Sequence, residues 1–323
     1  MRVLLCNESY PQAVERLNAL LPGHQVSSCR PDSVGENLAG IDVIIPSVAK
    51  IDAELIEKGA FGFIQQLGVG LDSVDIGAAT KCGVYVAKVP GAGSGNAESV
   101  AELAIMFMLV LSRRLFQARE NIAKGVFFRP GGKSLLGKTV CIVGFGDIGT
   151  ELAKRLLPFG ITIKAVKRRP AVADHGEFAN VGIYGADQLA DAFSDADFII
   201  LALPETPETA SMINRRTIEM MKQGVFLINV GRGGLIDDEA LLEGLRSGQI
   251  AGCGLDVFRN EPMDPNDPLF KENVVATPHI GGNTDASFLG VTAAIADNVK
   301  RFASGQKPLH VVNAPARPRA RIS

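Results

Sequence analysis

The chain has 323 residues, of which 46% are hydrophobic and 21% charged, as is typical of a globular protein with about two domains. The 33 Lys and Arg residues nearly balance the 35 Asp and Glu residues, and the formal net charge of -2 excludes a general electrostatic attraction to nucleic acid or anionic membrane. The five cysteines are scattered and never spaced as CxxC, which argues against a disulfide framework or a structural zinc site.

These numbers also give expectations about location and metals. Unpaired, scattered cysteines fit a reducing cytoplasm, and we expect no metal site. The longest apolar run, residues 100–111, contains Glu102 and is shorter than the ~20 residues that a membrane-spanning helix needs. We therefore expect a buried helix there, with no membrane and no nucleic acid among the partners.

Short apolar segments alternate with helical patterns along the whole chain. Continuous apolarity predicts strands buried on both faces, as in parallel sheets with helical crossovers. The predicted strands are residues 2–6, 42–47, 63–68, 84–89, 139–146, 161–166, 198–203, 225–230, 251–257 and 274–279. The pattern predicts an α/β fold with two Rossmann-like or flavodoxin-like domains of parallel strands.

The two series of strands separate at "GAGSGNAESVAEL", where Ser99 and Glu102 have the spacing of a capping box that opens a linker helix. A last helix is predicted to end at Gly305. If that helix crosses back, residues 1–98 and 285–323 form a discontinuous substrate domain, and residues 99–284 form an inserted dinucleotide-binding domain. The tail arginines Arg317, Arg319 and Arg321 are interpreted as solvated charge on a mobile end.

The segment "TVCIVGFGDIG" carries a dinucleotide signature. Gly144, Gly146 and Gly149 follow an apolar strand and open a helix, with Asp147 and Ile148 between them. Such glycines allow a tight turn, a close approach of backbone to pyrophosphate, and packing of helix on strand. We therefore expect a dinucleotide at this helix N-terminus.

The basic stretch "AVKRRP" indicates which dinucleotide. Lys167 lies 18 positions after Gly149 (167 minus 149), where an acidic residue would bind the ribose hydroxyls of NAD. Lys167, Arg168 and Arg169 stand there instead, and basic side chains favour the 2′-phosphate of NADP(H). We expect NADP(H) to be preferred and NAD(H) to be possible. A solvated loop, with the cofactor choice set elsewhere, is the alternative, and which of the three side chains reaches the phosphate stays open.

Three further segments, "INVGRGGLIDDEAL", "GLDVFRNEP" and "VVATPHIGGNT", contribute Arg232, Glu261 and His279. Together with "LGVGLDSVD", "SVAELA" and "LPETPET", they make the chain resemble the D-isomer-specific 2-hydroxyacid dehydrogenases over nearly its whole length. The resemblance implies that Arg232 binds the substrate carboxylate and keto oxygen, that His279 is the acid in reduction and the base in oxidation, and that Glu261 orients His279 and favours its protonated ring. Taken singly, each could be a structural residue.

The resemblance also implies binding residues. The backbone N–H groups of Val69 and Gly70 would bind the substrate carboxylate, and Asn96, in an interdomain loop, would donate to substrate or cap the next helix. The site would lie in a cleft between the domains. Around the cofactor, the resemblance adds Leu203, Pro204, Val230, Gly231, Arg232, Asp256, His279 and Gly281.

The expected function is therefore NADP(H)-dependent reduction of a small 2-keto acid, glyoxylate or hydroxypyruvate, by a cytoplasmic homodimer. An NAD-dependent phosphoglycerate dehydrogenase is the alternative within the class. A dinucleotide-sensing corepressor is the alternative from another class. Formate dehydrogenase is disfavoured because that enzyme has Gln where this chain has Glu261. The absence of a Trp before the dinucleotide strand leaves the size of the substrate open.

Overall fold

The computed structural model describes residues 1–169 and 178–319. The chain divides into two compact units. The first unit consists of Met1–Asn96 and Asn283–Ser323, and the second consists of Ala97–Gly282. Each unit contains one parallel sheet.

The sheet of the first unit has five strands in the order β2-β1-β3-β4-β5. The strands are β1 (Arg2–Leu5), β2 (Gln25–Ser28), β3 (Val43–Ile45), β4 (Phe63–Gln65) and β5 (Tyr85–Ala87). The helices are α1 (Pro11–Leu20), α2 (Ala53–Lys58), α3 (Ile76–Lys81) and, near the C-terminus, α10 (Asp285–Ala303). Two apolar clusters of this unit share the alternating residues of β1, with Val3 and Leu5 in one and Leu4 in the other. Burial on both faces explains why the three residues of β1 after the exposed Arg2 are all apolar.

The second unit has seven parallel strands in the order β12-β11-β10-β9-β6-β7-β8. They are β6 (Thr139–Val143), β7 (Thr162–Val166), β8 (Gly182–Tyr184), β9 (Phe198–Leu201), β10 (Val225–Asn229), β11 (Ile250–Leu255) and β12 (Val274–Ala276). The helices are α4 (Asn96–Arg113), α5 (Leu115–Ala123), α6 (Asp147–Leu156), α7 (Leu189–Phe193), α8 (Arg215–Glu219) and α9 (Asp238–Ser247). The α/β class with two parallel sheets, predicted from the sequence, is confirmed.

Two expectations from the sequence were wrong. The capping box does not form, because α4 begins at Asn96 and the buried Ser99 lies inside its first turn.

Arg319 is not solvated charge, since its guanidinium donates to the carbonyls of Gly59 at 2.6 Å and Ile56 at 3.2 Å, and its N–H donates to Gly83 O. The carbonyls of Ile56 and Gly59 belong to the end of α2, where orphaned acceptors need such donors. Arg321 lies outside the described residues.

All five cysteines are free, and four of them are buried. Burial raises the pKa of the thiols of Cys141 and Cys253, which line the second unit's core. Protonated, inaccessible thiols pack as small apolar side chains and do not act as nucleophiles.

Candidate functional site

In the second sheet, successive strands are added on one side of β6 up to β8 and then on its other side from β9 onward. Strand β7 pairs with one side of β6 and β9 with the other, so the turns that follow β6 and β9 diverge. In open parallel sheets, ligands bind outside the carboxyl ends of the strands at such a reversal. The residues predicted for the cofactor follow β6, β7, β9, β10, β11 and β12, and thus share this edge of the sheet.

The glycine turn after β6 has the form that a pyrophosphate requires. Gly144 has φ +97°, and a Cβ there would lie 2.5 Å from Ala202 O. A Cβ on Gly149 would lie 2.2 Å from Gly144 O, so helix α6 packs directly on the turn. Gly146 precedes α6, and a Cβ there would meet nothing within 4 Å. The open space at Gly146 fits an anion at the helix N-terminus, beside Asp147 and Ile148 of the first turn.

The basic stretch begins where β7 ends. Lys167 N donates to Tyr184 O at 3.0 Å, and the Lys167 ammonium lies 5.6 Å from the ring centroid of Phe145, inside the glycine turn. Arg168 and Arg169 are exposed. Pro170, the last residue of the quoted stretch, lies outside the described residues.

The turns after β9 and β10 pack on each other. A Cβ on Gly231 would lie 2.7 Å from Leu203 O, and Pro204 follows as an exposed residue. Val230 is buried in the apolar core, and its N–H donates to Leu201 O at 3.1 Å.

Arg232 is held by a buried asparagine that the sequence analysis missed. Asn229, the fully buried last residue of β10, accepts from Gly231 N at 3.0 Å and donates to Arg232 O at 2.8 Å. The half-buried Arg232 also donates from Nη1 to Gly231 O at 2.7 Å. A polar residue at the end of an apolar strand was the available signal, because a buried amide must find partners.

Glu261 and His279 form a direct pair. Glu261 Oε2 lies 2.7 Å from His279 Nδ1, with side chains 38% and 50% exposed. The other carboxylate oxygen accepts from Phe258 N at 3.0 Å. An ionised carboxylate can only accept, so Nδ1 carries the proton, and the Nε2 atom is free to exchange a proton with a ligand.

Asp256 fixes the turn that carries His279. The Asp256 carboxylate, 2% exposed, accepts from the Thr277 hydroxyl at 2.6 Å and from the N–H groups of Ile280 and Gly281 at 2.8 Å each. Its carbonyl accepts from His279 N at 2.8 Å. These bonds hold His279 at φ +55°, a left-handed conformation that costs free energy for a residue with a Cβ. A Cβ on Gly281 would lie 2.8 Å from Asp256 Oδ2, so only glycine fits there.

The turns of Arg232 and Glu261 are neighbours. A Cβ on Gly233 would lie 1.8 Å from the carbonyl carbon of Phe258, so the backbone after Arg232 packs on the backbone before Glu261. The second unit therefore assembles Arg232, Glu261 and His279 on three adjacent turns. A guanidinium, a carboxylate and an imidazole so placed can bind an anion and exchange a proton with it.

The remaining predicted residues lie in or next to the first unit. Val69 and Gly70 are half-buried and follow β4, in a turn that accepts through Gly68 O from Val89 N at 3.1 Å. Asn96 is the first residue of α4, so the prediction that it lies in a loop was wrong.

Over residues 1–169 and 178–319, no cluster of His, Cys, Asp and Glu is arranged to hold a metal ion. In the same part of the chain, no helix combines the length and apolarity needed to cross a bilayer.

Comparison with known proteins identifies relatives for both units. Residues 105–281 match the family model for the NAD binding domain of D-isomer specific 2-hydroxyacid dehydrogenases. The chain is 40% identical over 262 residues to a hydroxypyruvate reductase of Thermotoga maritima, covering 78% of this chain and 82% of the relative. It is 34% identical over 323 residues to a D-3-phosphoglycerate dehydrogenase of Archaeoglobus fulgidus, covering 98% of this chain but 60% of the relative.

A solved structure agrees with the fold. The TT0316 protein of Thermus thermophilus superposes with a TM-score of 0.85 at 31% identity, covering 97% of this chain and all of the other. The chain spans 46–61% of the length of three phosphoglycerate dehydrogenases that it matches.

Proposed function

Because the chain belongs to the D-isomer specific 2-hydroxyacid dehydrogenase family, we propose that it transfers a hydride between NADP(H) and a small 2-keto or 2-hydroxy acid. Hydroxypyruvate and glyoxylate are the proposed substrates, in the direction of reduction. The observation that carries the proposal is the 2.7 Å pair of His279 and Glu261, which lies at the same sheet edge as the Arg232 turn and the glycine turn.

In the proposed mechanism, the planar guanidinium of Arg232 binds the substrate carboxylate and polarises the keto oxygen. His279 donates a proton from Nε2 to that oxygen during reduction, while Glu261 stabilises the imidazolium through Nδ1. The N–H groups of Val69 and Gly70 would also bind the carboxylate, and Asn96 would donate to substrate. The dinucleotide, when bound, supplies the hydride.

The cofactor would be held by the residues of the glycine turn, by the backbone around Leu203, Pro204, Val230 and Gly231, and by Gly281 next to His279. Asp256 would border the nicotinamide. Its Oδ1 already accepts from the Thr277 hydroxyl and from Ile280 N, whereas its Oδ2 accepts from Gly281 N and keeps one lone pair for the carboxamide. The preference for NADP(H) rests on Lys167, Arg168 and Arg169, which replace the expected acid at the end of β7.

Steady-state kinetics test substrate and cofactor together. NADPH and NADH oxidation would be measured with glyoxylate, hydroxypyruvate, pyruvate, phenylpyruvate and phosphohydroxypyruvate. The highest kcat/KM is expected for NADPH with hydroxypyruvate or glyoxylate. Tight cofactor binding without turnover of any keto acid would contradict the proposal and indicate a dinucleotide-sensing protein.

Phosphoglycerate dehydrogenase is the second candidate activity. The match to the Archaeoglobus fulgidus protein over 98% of this chain favours it. The same experiment separates the two candidates, since this activity would give the highest kcat/KM with phosphohydroxypyruvate and a preference for NADH.

We also propose that the chain forms a homodimer in the cytoplasm, through α5 and the residues that follow it. Helix α5 has no buried residue, and Phe116 and Ile122 are more than half exposed. Phe127 and Phe128 extend this surface at 70% and 105% exposure. Several large exposed apolar side chains within one short segment often mark a protein–protein interface. Light scattering should give the mass of a dimer, and F116E with F128E should give a monomer; an unchanged dimer would exclude this surface.

A further inference from the structure

The turn that carries Glu261 is exposed from Arg259 to Pro262. Apolar packing therefore does little to hold it, although its carboxylate must keep its position against His279. One side chain within the turn reaches out to fixed parts of the second unit. Arg259 donates from Nη2 to Ile236 O at 2.6 Å and to Ser211 Oγ at 3.0 Å.

One acceptor of Arg259 belongs to the segment that follows Arg232, and the other is hydrogen-bonded to that segment. Ile236 is 2% exposed and lies four residues after Arg232 (236 minus 232). Ser211 is tied to the same segment, because its N–H donates to Gly234 O at 2.7 Å. Arg259 Nε also lies 3.5 Å from Asp238 Oδ2, but both side chains are substantially exposed, so this ion pair contributes little. The bond to Ile236 O is the short, charge-assisted one.

We propose that Arg259 is a positioning residue that ties the Glu261 turn to the Arg232 turn. Arg259 contacts neither Glu261 nor His279 in the bonds described, and acts on the chemistry by fixing the backbone from which Glu261 reaches His279 Nδ1. Glu261 Oε1 accepts from Phe258 N, so the backbone that Arg259 anchors also aims the carboxylate. This inference rests on the proposed function, in which the Glu261–His279 pair transfers a proton.

The first test removes the donors of Arg259 and keeps its length. R259M is expected to lower kcat about 10- to 100-fold, the range that a misplacement of ~1 Å can cost, while KM and cofactor Kd change less than about twofold. The matched control is R215M, which removes an exposed guanidinium that donates to Glu243 at 2.6 Å in the same unit. R215M should retain wild-type kinetics. An R259M enzyme with wild-type kcat would overturn the proposal.

A double-mutant cycle tests whether Arg259 acts through Glu261. On an E261Q background, R259M should lower kcat by less than about twofold, because the interaction it supports is already lost. Equal losses on both backgrounds would refute a positioning role. S211G removes the hydroxyl acceptor at a residue with φ +50°, where glycine is tolerated, and should lower kcat about threefold in the wild type and not in E261Q. S211G replaces R259M as the test variant if R259M folds poorly.

A spectroscopic readout is independent of turnover. The chain has four histidines, so the imidazole ¹⁵N signals of His279 can be assigned by comparison with H279A. In alkaline solution the Nδ1–H tautomer should dominate in wild type and R215M, and R259M should increase the Nε2–H fraction. An unchanged tautomer in R259M would contradict the positioning role of Arg259, whether or not the protein reduces a keto acid. Failure to reduce any of the keto acids would refute the proposed function instead.

Discussion

Two regions at the same edge of the second sheet differ in how their charged side chains are held. Arg232, Glu261 and His279 are partly exposed, but buried polar groups fix the backbone on both sides of them, chiefly Asn229 and Asp256. The basic stretch after β7 has Arg168 and Arg169 exposed to solvent. Proton transfer requires the donor and acceptor atoms to be held at fixed positions. Electrostatic attraction between a phosphate and several cationic side chains does not require those side chains to be fixed.

The difference predicts two kinds of mutational response. In the fixed region, replacing a side chain that acts on the ligand should abolish or nearly abolish turnover, because each is held in one position. Replacing a residue that supports those side chains should have a smaller effect. In the basic region, substitutions should have graded effects that weaken as salt concentration rises.

The largest effect is expected for H279A. Loss of the imidazole should lower kcat about 1,000-fold or more, since it is the group assigned to exchange the proton, and cofactor affinity should stay within about twofold. H310A is the matched control, because His310 also has a left-handed backbone, at φ +54°, but lies outside the candidate site. Kinetics and fluorescence titration with NADPH check both. Loss of dinucleotide affinity in H279A, with turnover retained, would contradict its role.

The next largest effect is expected for D256N. In either orientation the Asn side chain puts an NH2 donor in place of one carboxylate oxygen, opposite the N–H of Ile280 or that of Gly281. The His279 turn should therefore shift, and kcat should fall about 100-fold. T277V removes one of the three donors to Asp256 and should lower kcat less than about tenfold. Stopped-flow measurement of the hydride-transfer step checks the order of the two. A D256N enzyme with wild-type rate would mean that other contacts fix the turn.

A smaller, graded effect is expected in the basic region. Replacing Lys167, Arg168 and Arg169 together by Gln, Ser and Ser should lower the ratio of kcat/KM for NADPH to that for NADH about tenfold or more, with kcat retained. Single replacements should each give part of the change, and added salt should reduce it. A wild-type ratio of kcat/KM for NADPH to that for NADH in the triple variant would mean that the basic stretch is a solvated loop that does not determine cofactor choice.

The sequence predicted most of the fold because ten strands are buried and therefore apolar. The two strands it missed, β2 and β8, lie at sheet edges, where "QVSS" buries only Val26 and "GIY" buries no residue fully. Strands β5 and β12 also lie at sheet edges, but they stand in longer apolar runs, so apolarity predicted them. Strands β2 and β8 are defined by pairing with a neighbour, which apolarity in a single sequence does not report.

The candidate site was predictable for the side chains that act on a ligand and not for those that hold them. Arg232, Glu261 and His279 stand in motifs of fixed spacing. Thr277 and Arg259 are ordinary polar residues until tertiary structure supplies their partners, such as Ile236 O for Arg259. The partners of Asn229 lie in the turn that directly follows it, and its position at the end of an apolar strand was the one signal available. A hydrogen bond between distant segments leaves no periodic pattern in either segment.

The smallest effect is expected at the opposite edge of the same sheet, where charge serves stability. Asp197 precedes β9 and accepts from Thr139 N at 3.0 Å and from Lys222 Nζ at 2.8 Å. Burial by itself would raise the pKa of Asp197, but these hydrogen bonds and the charge of Lys138 outweigh it and lower the pKa. D197N should leave kcat unchanged and reduce the free energy of unfolding at pH 7 by about 1–2 kcal/mol.

The pH dependence of that loss identifies its cause. A carboxyl whose pKa is lower in the folded state contributes its full stabilisation above the ordinary Asp range, near pH 4, and loses it as the pH falls through the folded value. Urea unfolding of wild type and D197N should therefore differ at pH 7 and converge toward pH ~3. A difference that persists in acid would attribute the loss to packing, and a fall in kcat at pH 7 would mean that the two edges of the sheet are not independent.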